Sequence, residues 1–165
     1  MTDIEAPFDR YRDVVSPDWV DHNRHMNMGY YLVVFDFATD GFLSWVGLDA
    51  AHRHAQQVTT FCLEAHGTYH REVGAGDPLR FTTQLLAHDA KRIHYIHAMY
   101  HAAEGYLAAT NELMSLHVSE ATRRGAPMAP TVLDRLARIQ NAHDALPRPP
   151  QAGRTIGLGV RPPTR

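Results

Sequence analysis

The sequence predicts an α+β fold in which an antiparallel five-stranded sheet wraps around one long central helix. Between Met28 and Val46, apolar residues recur at intervals of three and four, and additional apolar residues make this face wider than that of a surface helix. The segments that follow alternate between apolar and polar residues and are separated by turn signals at hairpin spacing. A helix and a sheet this apolar must bury each other, which favours a sheet curved around the helix.

The predicted elements are a short strand, the central helix and then four antiparallel strands. Ser16 and Pro17 end the first strand, and Gly47 suits the C-cap of the helix. In the strand after the helix, Phe61, Leu63, Ala65 and Tyr69 are expected to face the helix. The strands are placed at 11–15, 57–72, 79–85, 92–101 and 106–118, and a second, amphipathic helix at 131–146 is expected on the outside of the domain or at a subunit edge.

A length of 165 residues fits one domain with a single core. We expect the domain proper to span 11–120, with a mobile lead-in at 1–10 and a turn plus C-terminal helix at 121–146. The last stretch, 147–165, is rich in Pro, Gly and Arg and has no periodicity, which is typical of a tail that is disordered or draped over a partner.

Charge and hydropathy exclude several classes of partner. The net charge is −2, from 16 basic and 18 acidic residues spread without blocks, so no nucleic-acid partner is expected. No run approaches the roughly 18 apolar residues of a membrane span, and the N-terminus lacks the apolar segment of a signal peptide. These features predict a cytoplasmic protein with a small-molecule partner and no membrane contact.

Cysteine and histidine give no sign of a disulfide or a metal centre. Cys62 is the only cysteine, and its place in a strand-like run favours packing over nucleophilic chemistry. The twelve histidines do not have the spacing of a ligand set. No metal and no cofactor are therefore expected.

The stretch from Val20 to Tyr31 is the strongest candidate for chemistry. It places Asp21, Asn23 and His25 within five residues, directly before the central helix. Asn27 occupies the position of an N-cap. An acid and a base would thus lie beside the positive end of a helix dipole, where the backbone amides of Met28, Gly29 or Tyr30 can stabilise an oxyanion.

This stretch resembles the Asp-x-Asn-x-His-(Met/Val)-Asn-x-x-Tyr signature of hotdog-fold acyl-CoA thioesterases, the 4-hydroxybenzoyl-CoA thioesterase-like superfamily. The likeness spans about residues 11–120, and within the superfamily the chain is most similar to the betainyl-CoA thioesterases of carnitine breakdown. The resemblance implies hydrolysis of an acyl-CoA to a free acid and coenzyme A. It also implies a homodimer, or a dimer of dimers, whose sheets join edge to edge and whose active sites lie at the subunit interface.

The catalytic candidates each have a structural alternative. Asp21 is expected to act as base or nucleophile, although an Asx-turn would also explain it. Asn23 orients water or the thioester oxygen, or is a turn residue. His25 hydrogen-bonds the carboxylate, polarises the carbonyl or locates the loop. Glu64 is the rival carboxylate, but strand alternation places it opposite the helix unless a bulge, for example near Gly67, or a dimer contact turns it inward.

Substrate contacts are expected from the helix N-terminus and from aromatic rings. Met28 and Gly29 would offer backbone amides, and Gly29 permits close approach of a ligand. A quaternary ammonium group needs aromatic faces. The candidates are Tyr30, Tyr31 and Tyr69, together with Trp45 and Phe61, and each of them would also fit a packing role.

Two other functions fit the same residues. Hotdog hydratases and dehydratases place Asp and His near the central helix and act on the 2,3-bond of an acyl thioester. A non-catalytic acyl-CoA binding dimer would hold the thioester without turnover. The fold alone does not separate these chemistries.

Overall fold

The computed structural model describes residues 4–158. The strands are β1 (Arg12–Val14), β2 (Val58–Tyr69), β3 (Pro78–His88), β4 (Arg92–His101) and β5 (Leu107–Ser119). The helices are α1 (Met28–Val46), α2 (Ala50–Gln56) and α3 (Pro130–His143), and a 3-10 turn at Pro17–Trp19 precedes α1. The predicted order of strand, central helix and four strands is confirmed.

The five strands form one sheet in the order β1-β3-β4-β5-β2. Every neighbouring pair is antiparallel. Two hairpins join β3, β4 and β5, and β5 then pairs with the earlier strand β2 at the far edge. The inner face of the sheet packs against α1. The predicted α+β hotdog fold is therefore confirmed, with β1 and β2 as the two edge strands.

α1 begins and ends at the predicted residues. Asn27 caps its N-terminus, and Gly47 ends it in the left-handed conformation at φ 104°, which glycine adopts without strain. One side of the 19-residue helix is buried against the sheet through Tyr31, Val34, Phe35, Ala38, Thr39, Phe42, Leu43 and Val46.

A buried histidine ties the middle of α1 to the sheet. The Nε2 atom of His97 lies 2.9 Å from Oγ1 of Thr39, and its Nδ1 atom lies 2.7 Å from Oγ1 of Thr83. Because the Thr39 hydroxyl donates to the Phe35 carbonyl, it accepts from His97. Full burial lowers the pKa of His97 to about 3, so the imidazole is neutral at physiological pH.

β2 carries a bulge that changes which residues face the helix. Cys62 pairs with Ser115, but the next pair is Glu64 with Met114, so Leu63 is the extra residue. Phe61 pairs with Leu116 and lies under the guanidinium of Arg123, away from the helix. The expectation that Phe61 covers α1 was wrong, because the bulge shifts the alternation by one residue.

The N-terminal residues from Ile4 onward belong to the domain. Phe8 is buried and its backbone pairs with Thr83, and its ring packs on Phe42 and Trp45. The expected lead-in at 1–10 is therefore wrong for residues 4–10, because a large aromatic ring fills the end of the core. Residues 1–3 lie outside the described part of the chain.

α3 covers the same end of the core with its apolar side. Val132, Leu136 and Ile139 are buried in one cluster with residues of α1 and β3. His143 accepts a hydrogen bond at Nδ1 from the Leu85 amide, beside the β3 bulge, and its Nε2 atom lies 2.9 Å from the Glu5 carbonyl. The opposite side of the helix is exposed, so α3 lies on the outside of the domain. A position at a subunit edge stays a prediction.

The C-terminal segment, residues 147–158, crosses the outer face of the sheet. The Gly153 amide donates to Oε2 of Glu112, whose Oε1 lies 2.7 Å from Nε2 of His94. This part of the predicted tail is therefore draped on the domain itself. The remainder, 159–165, lies outside the described residues.

α2 is a short helix that the sequence analysis did not predict. Asp49 caps it by accepting from the His52 amide, and none of its residues is buried, which explains the missing apolar periodicity.

None of the described helices is by itself long and apolar enough to cross a membrane. Only α1 and α2 taken together reach that length and composition, with a 68° bend between them.

Candidate active site

The loop before α1 folds into a tight turn around Asp21. Val20 and Met26 form an antiparallel bridge, and the Asp21 amide donates to the His25 carbonyl at 3.2 Å. The Arg24 amide donates back to the Asp21 carbonyl, and Arg24 itself has φ 66°. The backbone of this loop is therefore fixed by its own hydrogen bonds.

Two anchors attach the loop to the fold. Met26 is buried, and its amide donates to the Val73 carbonyl at 2.8 Å, while the Asn27 amide donates to the Trp19 carbonyl at 2.8 Å. As a result, the turn carrying Asp21 is held next to the first residue of α1.

Asp21 is partly exposed, and its carboxylate is ionised at neutral pH. Its Oδ1 accepts a hydrogen bond from the Asn23 amide at 2.8 Å, which lowers the pKa of the carboxyl below its usual value. The side-chain amide of Asn27 and the imidazoles of His25 and His22 lower the pKa further. A carboxylate in this state can act as a general base or as a nucleophile at neutral pH.

The amides at the start of α1 are not equally free. The Gly29 amide donates to Oδ1 of Asn27, and the Tyr30 amide donates to the Asn27 carbonyl. The Met28 amide has no protein acceptor within the described residues. Of the three amides expected to bind an oxyanion, only that of Met28 is unpaired, because the N-cap residue occupies the other two.

A cavity of about 370 Å³ opens beside the helix N-terminus. Four predicted site residues line it, namely His25, Met28, Tyr31 and Tyr69, together with Met26, His70, Arg71 and Glu72. The rings of Tyr31 and Tyr69 meet edge to face, with centroids 5.1 Å apart. Burial raises the pKa of both tyrosine hydroxyls, so both stay protonated at neutral pH.

His25 lines the cavity without a hydrogen bond to the carboxylate of Asp21. Its Nδ1 atom lies 3.4 Å from the Met26 carbonyl. Of the three roles considered for this residue, a direct hydrogen bond to the acid is absent from the structure. Its position at the cavity wall fits contact with a bound thioester.

Five predicted site residues do not line the cavity, and four of them lie around the turn and the start of α1. Tyr30 stacks on Trp19, with centroids 6.0 Å apart, and Asn23 is exposed on the turn. The backbone amide of Gly29 is already bonded to the side chain of the N-cap residue Asn27. Asp21 itself lies next to the cavity rather than in its wall, joined to it through the hydrogen bond to the His25 backbone.

Glu64 is held on the opposite face of the sheet. It pairs with Met114 and lines a separate cavity of about 590 Å³ with His66, His94 and Glu112, beneath the C-terminal segment. A bulge is present, but it lies at Leu63 rather than near Gly67, where the register is regular. It leaves Glu64 on the outer face, and Cys62 is the residue that lies beside α1. Within one protomer, Glu64 and Asp21 are not brought together.

The sequence analysis missed the far wall of the cavity. His70, Arg71 and Glu72 follow β2 directly, and the Arg71 guanidinium lies 3.8 Å above the ring of Tyr106. Because these three residues directly follow Tyr69, a predicted site residue, their place in the cavity could have been predicted from the sequence. Among residues 4–158, no group of three or more His, Cys, Asp or Glu is arranged to hold a metal ion.

The comparisons with known proteins agree with this geometry. The sequence profile of the Thioesterase-like superfamily matches residues 15–136, which include the turn, α1 and the whole sheet after it. The chain belongs to this superfamily.

The curated relatives of this superfamily member include betainyl-CoA thioesterases, alone or joined to an L-carnitine dehydrogenase. It is 43% identical to the betainyl-CoA thioesterase of Pseudomonas aeruginosa, over 94% of this chain and 96% of that protein. It is also 34% identical to an L-carnitine dehydrogenase/betainyl-CoA thioesterase of Rhizobium meliloti, over 94% of this chain but only 31% of that longer protein.

Solved structures confirm the fold of this superfamily member. A Staphylococcus aureus protein determined in complex with CoA matches with a TM-score of 0.87 at 28% identity, over 96% of this chain and 99% of that one. A candidate thioesterase from Pseudomonas putida matches with a TM-score of 0.81 at 35% identity, over 94% of this chain and 99% of that one.

Proposed function

We propose that this protein hydrolyses an acyl-CoA thioester to a free acid and coenzyme A. The observation that carries the proposal is the ionised carboxylate of Asp21, fixed by a tight turn beside the unpaired Met28 amide at the N-terminus of α1. Membership of the thioesterase superfamily and the 43% identical betainyl-CoA thioesterase support it.

Asp21 can act in one of two ways, as a general base toward water or as the nucleophile itself. As a general base it takes a proton from water, whose oxygen attacks the thioester carbonyl, and the tetrahedral oxyanion then collapses with loss of the CoA thiolate. As a nucleophile it forms an acyl-enzyme anhydride with loss of the thiolate, and water then cleaves the anhydride. In both routes negative charge develops on the carbonyl oxygen, where the Met28 amide and the helix dipole stabilise it.

The acyl group is proposed to be betainyl, as in the named relatives. A quaternary ammonium has no N–H to donate and is bound by aromatic faces and by negative potential. Tyr31 and Tyr69 offer two rings at the cavity, and Glu72 adds a carboxylate to the same wall.

The functional unit is proposed to be a homodimer, or a dimer of dimers, built on β2. This 12-residue strand is an edge strand with β5 as its neighbour in the sheet. Apolar side chains stay exposed on β2 and on the adjoining side of α1, among them Leu32, Val33, Phe37 and Leu63. An edge strand beside an exposed apolar surface is suited to pairing with a second copy.

The cytoplasmic location stays a prediction from the sequence.

The test is release of free thiol from a panel of acyl-CoAs that includes betainyl-CoA and short, branched, aromatic and long acyl chains. Asp21→Asn is the test variant, and Glu64→Gln is its matched control, because both replace a carboxylate by an amide. We expect Asp21→Asn to lose about 10²- to 10⁴-fold in kcat with its circular dichroism unchanged. Glu64→Gln should stay near the wild type.

Each other outcome has a defined meaning. Loss of activity in Glu64→Gln alone would transfer the carboxylate role to Glu64. Product analysis that shows water added across the 2,3-bond, with no free thiol, would favour a hydratase. Binding of every thioester without any product would favour a non-catalytic acyl-CoA dimer.

A further inference from the structure

The segment between β2 and β3 supports the turn that carries Asp21. Val73 in this segment is buried, and its carbonyl accepts the Met26 amide at 2.8 Å. The next residue, Gly74, lies against the backbone of Arg24. A methyl group added to Gly74 would lie 3.6 Å from the Arg24 carbonyl oxygen. A movement of this segment would therefore move the turn as well.

The side chain of Asp77 closes this segment into a turn of its own. Its Oδ2 atom accepts the Gly74 amide at 2.7 Å, and the Asp77 amide donates to the Gly74 carbonyl at 3.1 Å. On the other side, the Val15 amide donates to the Asp77 carbonyl at 3.0 Å, and Val15 is buried. The position of Gly74 therefore depends on one carboxylate oxygen whose backbone is fixed to the core.

The second carboxylate oxygen of Asp77 faces the sheet. Oδ1 of Asp77 lies 3.5 Å from Nε2 of His101, the last residue of β4. His101 is 6% exposed, and its Nδ1 atom accepts the Glu104 amide at 3.1 Å. An imidazole that accepts at Nδ1 carries its proton at Nε2, so an N–H group points toward Asp77. The carboxylate thus connects the sheet to the segment that supports the reactive turn.

Arg24 carries the connection on to Asp21. The Arg24 amide donates to the Asp21 carbonyl at 2.9 Å. With φ 66°, Arg24 has a conformation that is uncommon for a residue with a side chain, so contacts on its carbonyl side matter for holding it. Gly74 supplies such a contact. Asp77 itself does not line the cavity, so its effect on a substrate is indirect.

We propose that Asp77 is a positioning residue for thioester hydrolysis: through Gly74 and Arg24 it holds the turn from which the carboxylate acts. This role rests on the proposed function as an acyl-CoA thioesterase. The alternative is a role confined to folding. In that case, loss of the Asp77 side chain would change stability but neither the rate per folded molecule nor the ionisation of Asp21.

Asp77→Ala is the test variant, and Asp89→Ala is its matched control. Asp89 closes the turn between β3 and β4 in the same way, by accepting the backbone amides of Lys91 and Arg92 at 2.8 Å and 2.7 Å. Both variants should lower the melting temperature. Only Asp77→Ala should lower kcat for thiol release, by about ten- to a hundredfold, because a small displacement of a reacting group slows the reaction steeply. KM should stay within a factor of about two, because the cavity wall is unchanged.

Asp77→Asn tests which contact of the side chain carries the effect. It keeps one acceptor oxygen, which suffices for the Gly74 amide but not for His101 as well. It should therefore recover a large part of the kcat that is lost in Asp77→Ala. If Asp77→Ala does not fold, Asp77→Ser, whose oxygen lies closer to its own backbone, takes its place and is judged by the same measurements.

The pKa of the Asp21 carboxyl, followed by NMR titration, reports the position of the turn without any substrate. Four groups lower this pKa, namely the Asn23 amide, the Asn27 side chain and the imidazoles of His25 and His22. Displacement of the turn in Asp77→Ala weakens the hydrogen bonds and should raise the pKa toward its ordinary value. Removal of the negative charge of Asp77 would by itself lower the pKa of Asp21, so a rise identifies a movement of the turn.

Equal kcat values in Asp77→Ala and Asp89→Ala would confine Asp77 to folding and overturn the assignment. A loss of kcat with an unmoved pKa of Asp21 would overturn it as well, because the turn would not have moved. Absence of thiol release from every thioester by the wild type contradicts the proposed function instead. In that case the NMR titration still decides whether Asp77 holds the turn.

Discussion

The side-chain oxygen of Asn27 accepts a hydrogen bond from the backbone amide of Gly29 at 2.9 Å. The amide nitrogen of the same side chain lies 3.4 Å from Oδ2 of Asp21. One residue thus caps α1 and contacts the carboxylate proposed to react. By occupying the Gly29 amide, it also leaves Met28 as the unpaired donor at the helix N-terminus.

Substitutions of Asn27 should separate these two contacts. Asn27→Ala removes the cap and is expected to lower the free energy of unfolding by about 1 kcal/mol. Asn27→Asp keeps an acceptor for the Gly29 amide but places a second carboxylate beside Asp21, which raises the pKa of Asp21. Urea unfolding and a pH profile of kcat/KM measure both effects. The acidic limb of the profile should move to higher pH in Asn27→Asp, and an unmoved limb would contradict the contact.

Substitutions of Tyr69 test the aromatic part of the acyl site. Tyr69→Leu removes the ring and should weaken binding of betainyl-CoA by about 0.5–2 kcal/mol, the usual range for a cation over an aromatic face. Tyr69→Phe keeps the ring and should stay within a factor of two or so of the wild type on the same basis. The measurement is KM for betainyl-CoA. Equal losses in the two variants would assign the effect to the hydroxyl instead.

Acid should destabilise the fold through His97. Burial lowers its folded-state pKa to about 3, below the ordinary value of 6.5, so the unfolded chain takes up the proton first as the pH falls. The stabilisation is complete above about pH 6.5 and is lost toward pH 3, with a slope of up to about 1.4 kcal/mol per pH unit. His143, whose pKa burial also lowers, acts in the same direction.

The pH dependence is measured by urea unfolding between about pH 4 and about pH 8. This range covers most of the pH window in which stability falls and the neutral range above it. His97→Gln should be less stable at neutral pH, because it loses the contacts to Thr39 and Thr83, but its stability should fall less steeply with acid. His54→Gln on the exposed surface of α2 is the control. A slope in His97→Gln equal to that of the wild type would contradict the assignment.

Phe8→Ala tests whether the N-terminal residues belong to the core. Phe8 is 3% exposed and packs on Phe42 and Trp45, so its truncation should cost about 3–5 kcal/mol of unfolding free energy. Leu158→Ala, at a fully exposed leucine, should change stability by less than about 0.5 kcal/mol. Denaturation of both variants makes the comparison. A cost near zero for Phe8→Ala would return residues 4–10 to the role of a lead-in.

Charge at the β2 edge should prevent self-association. Leu63→Lys on β2 and Phe37→Lys on α1 place a charge on exposed apolar positions beside this edge. We expect both to shift the mass measured by light scattering from dimer to monomer and to reduce thiol release. Val14→Lys places the same charge on β1, the opposite edge, and should leave the dimer intact. Dissociation in the Val14 variant alone would move the interface to β1.

Local patterns were sufficient for α1, for the order of the strands and for the motif. The limits of α1 follow from Asn27, Gly47 and a helical period between them, and these signals act within a few residues of one another. The turn around Asp21 and the capping role of Asn27 are equally local. The resemblance to hotdog thioesterases rests on the same short stretch, and the superfamily match agrees with it.

The site as a whole was less predictable, because its parts meet through long-range pairing. The bulge at Leu63 depends on how β2 pairs with β5, and it decides that Phe61 faces outward and that Glu64 stays away from the turn. The occupied amide of Gly29 depends on one rotamer of Asn27. Neither feature leaves a periodic signal in the chain.

The sequence by itself determined a sheet around one apolar helix and a reactive loop at the start of that helix, because periodicity, caps and turns are local properties of the chain. Only the tertiary structure decided that Phe8 and α3 complete the core, that Tyr69 meets Tyr31, and that Gly74 lies against Arg24. Those relationships depend on strand register and on packing between residues far apart in the chain, where a shift of one residue reverses the face on which a side chain lies.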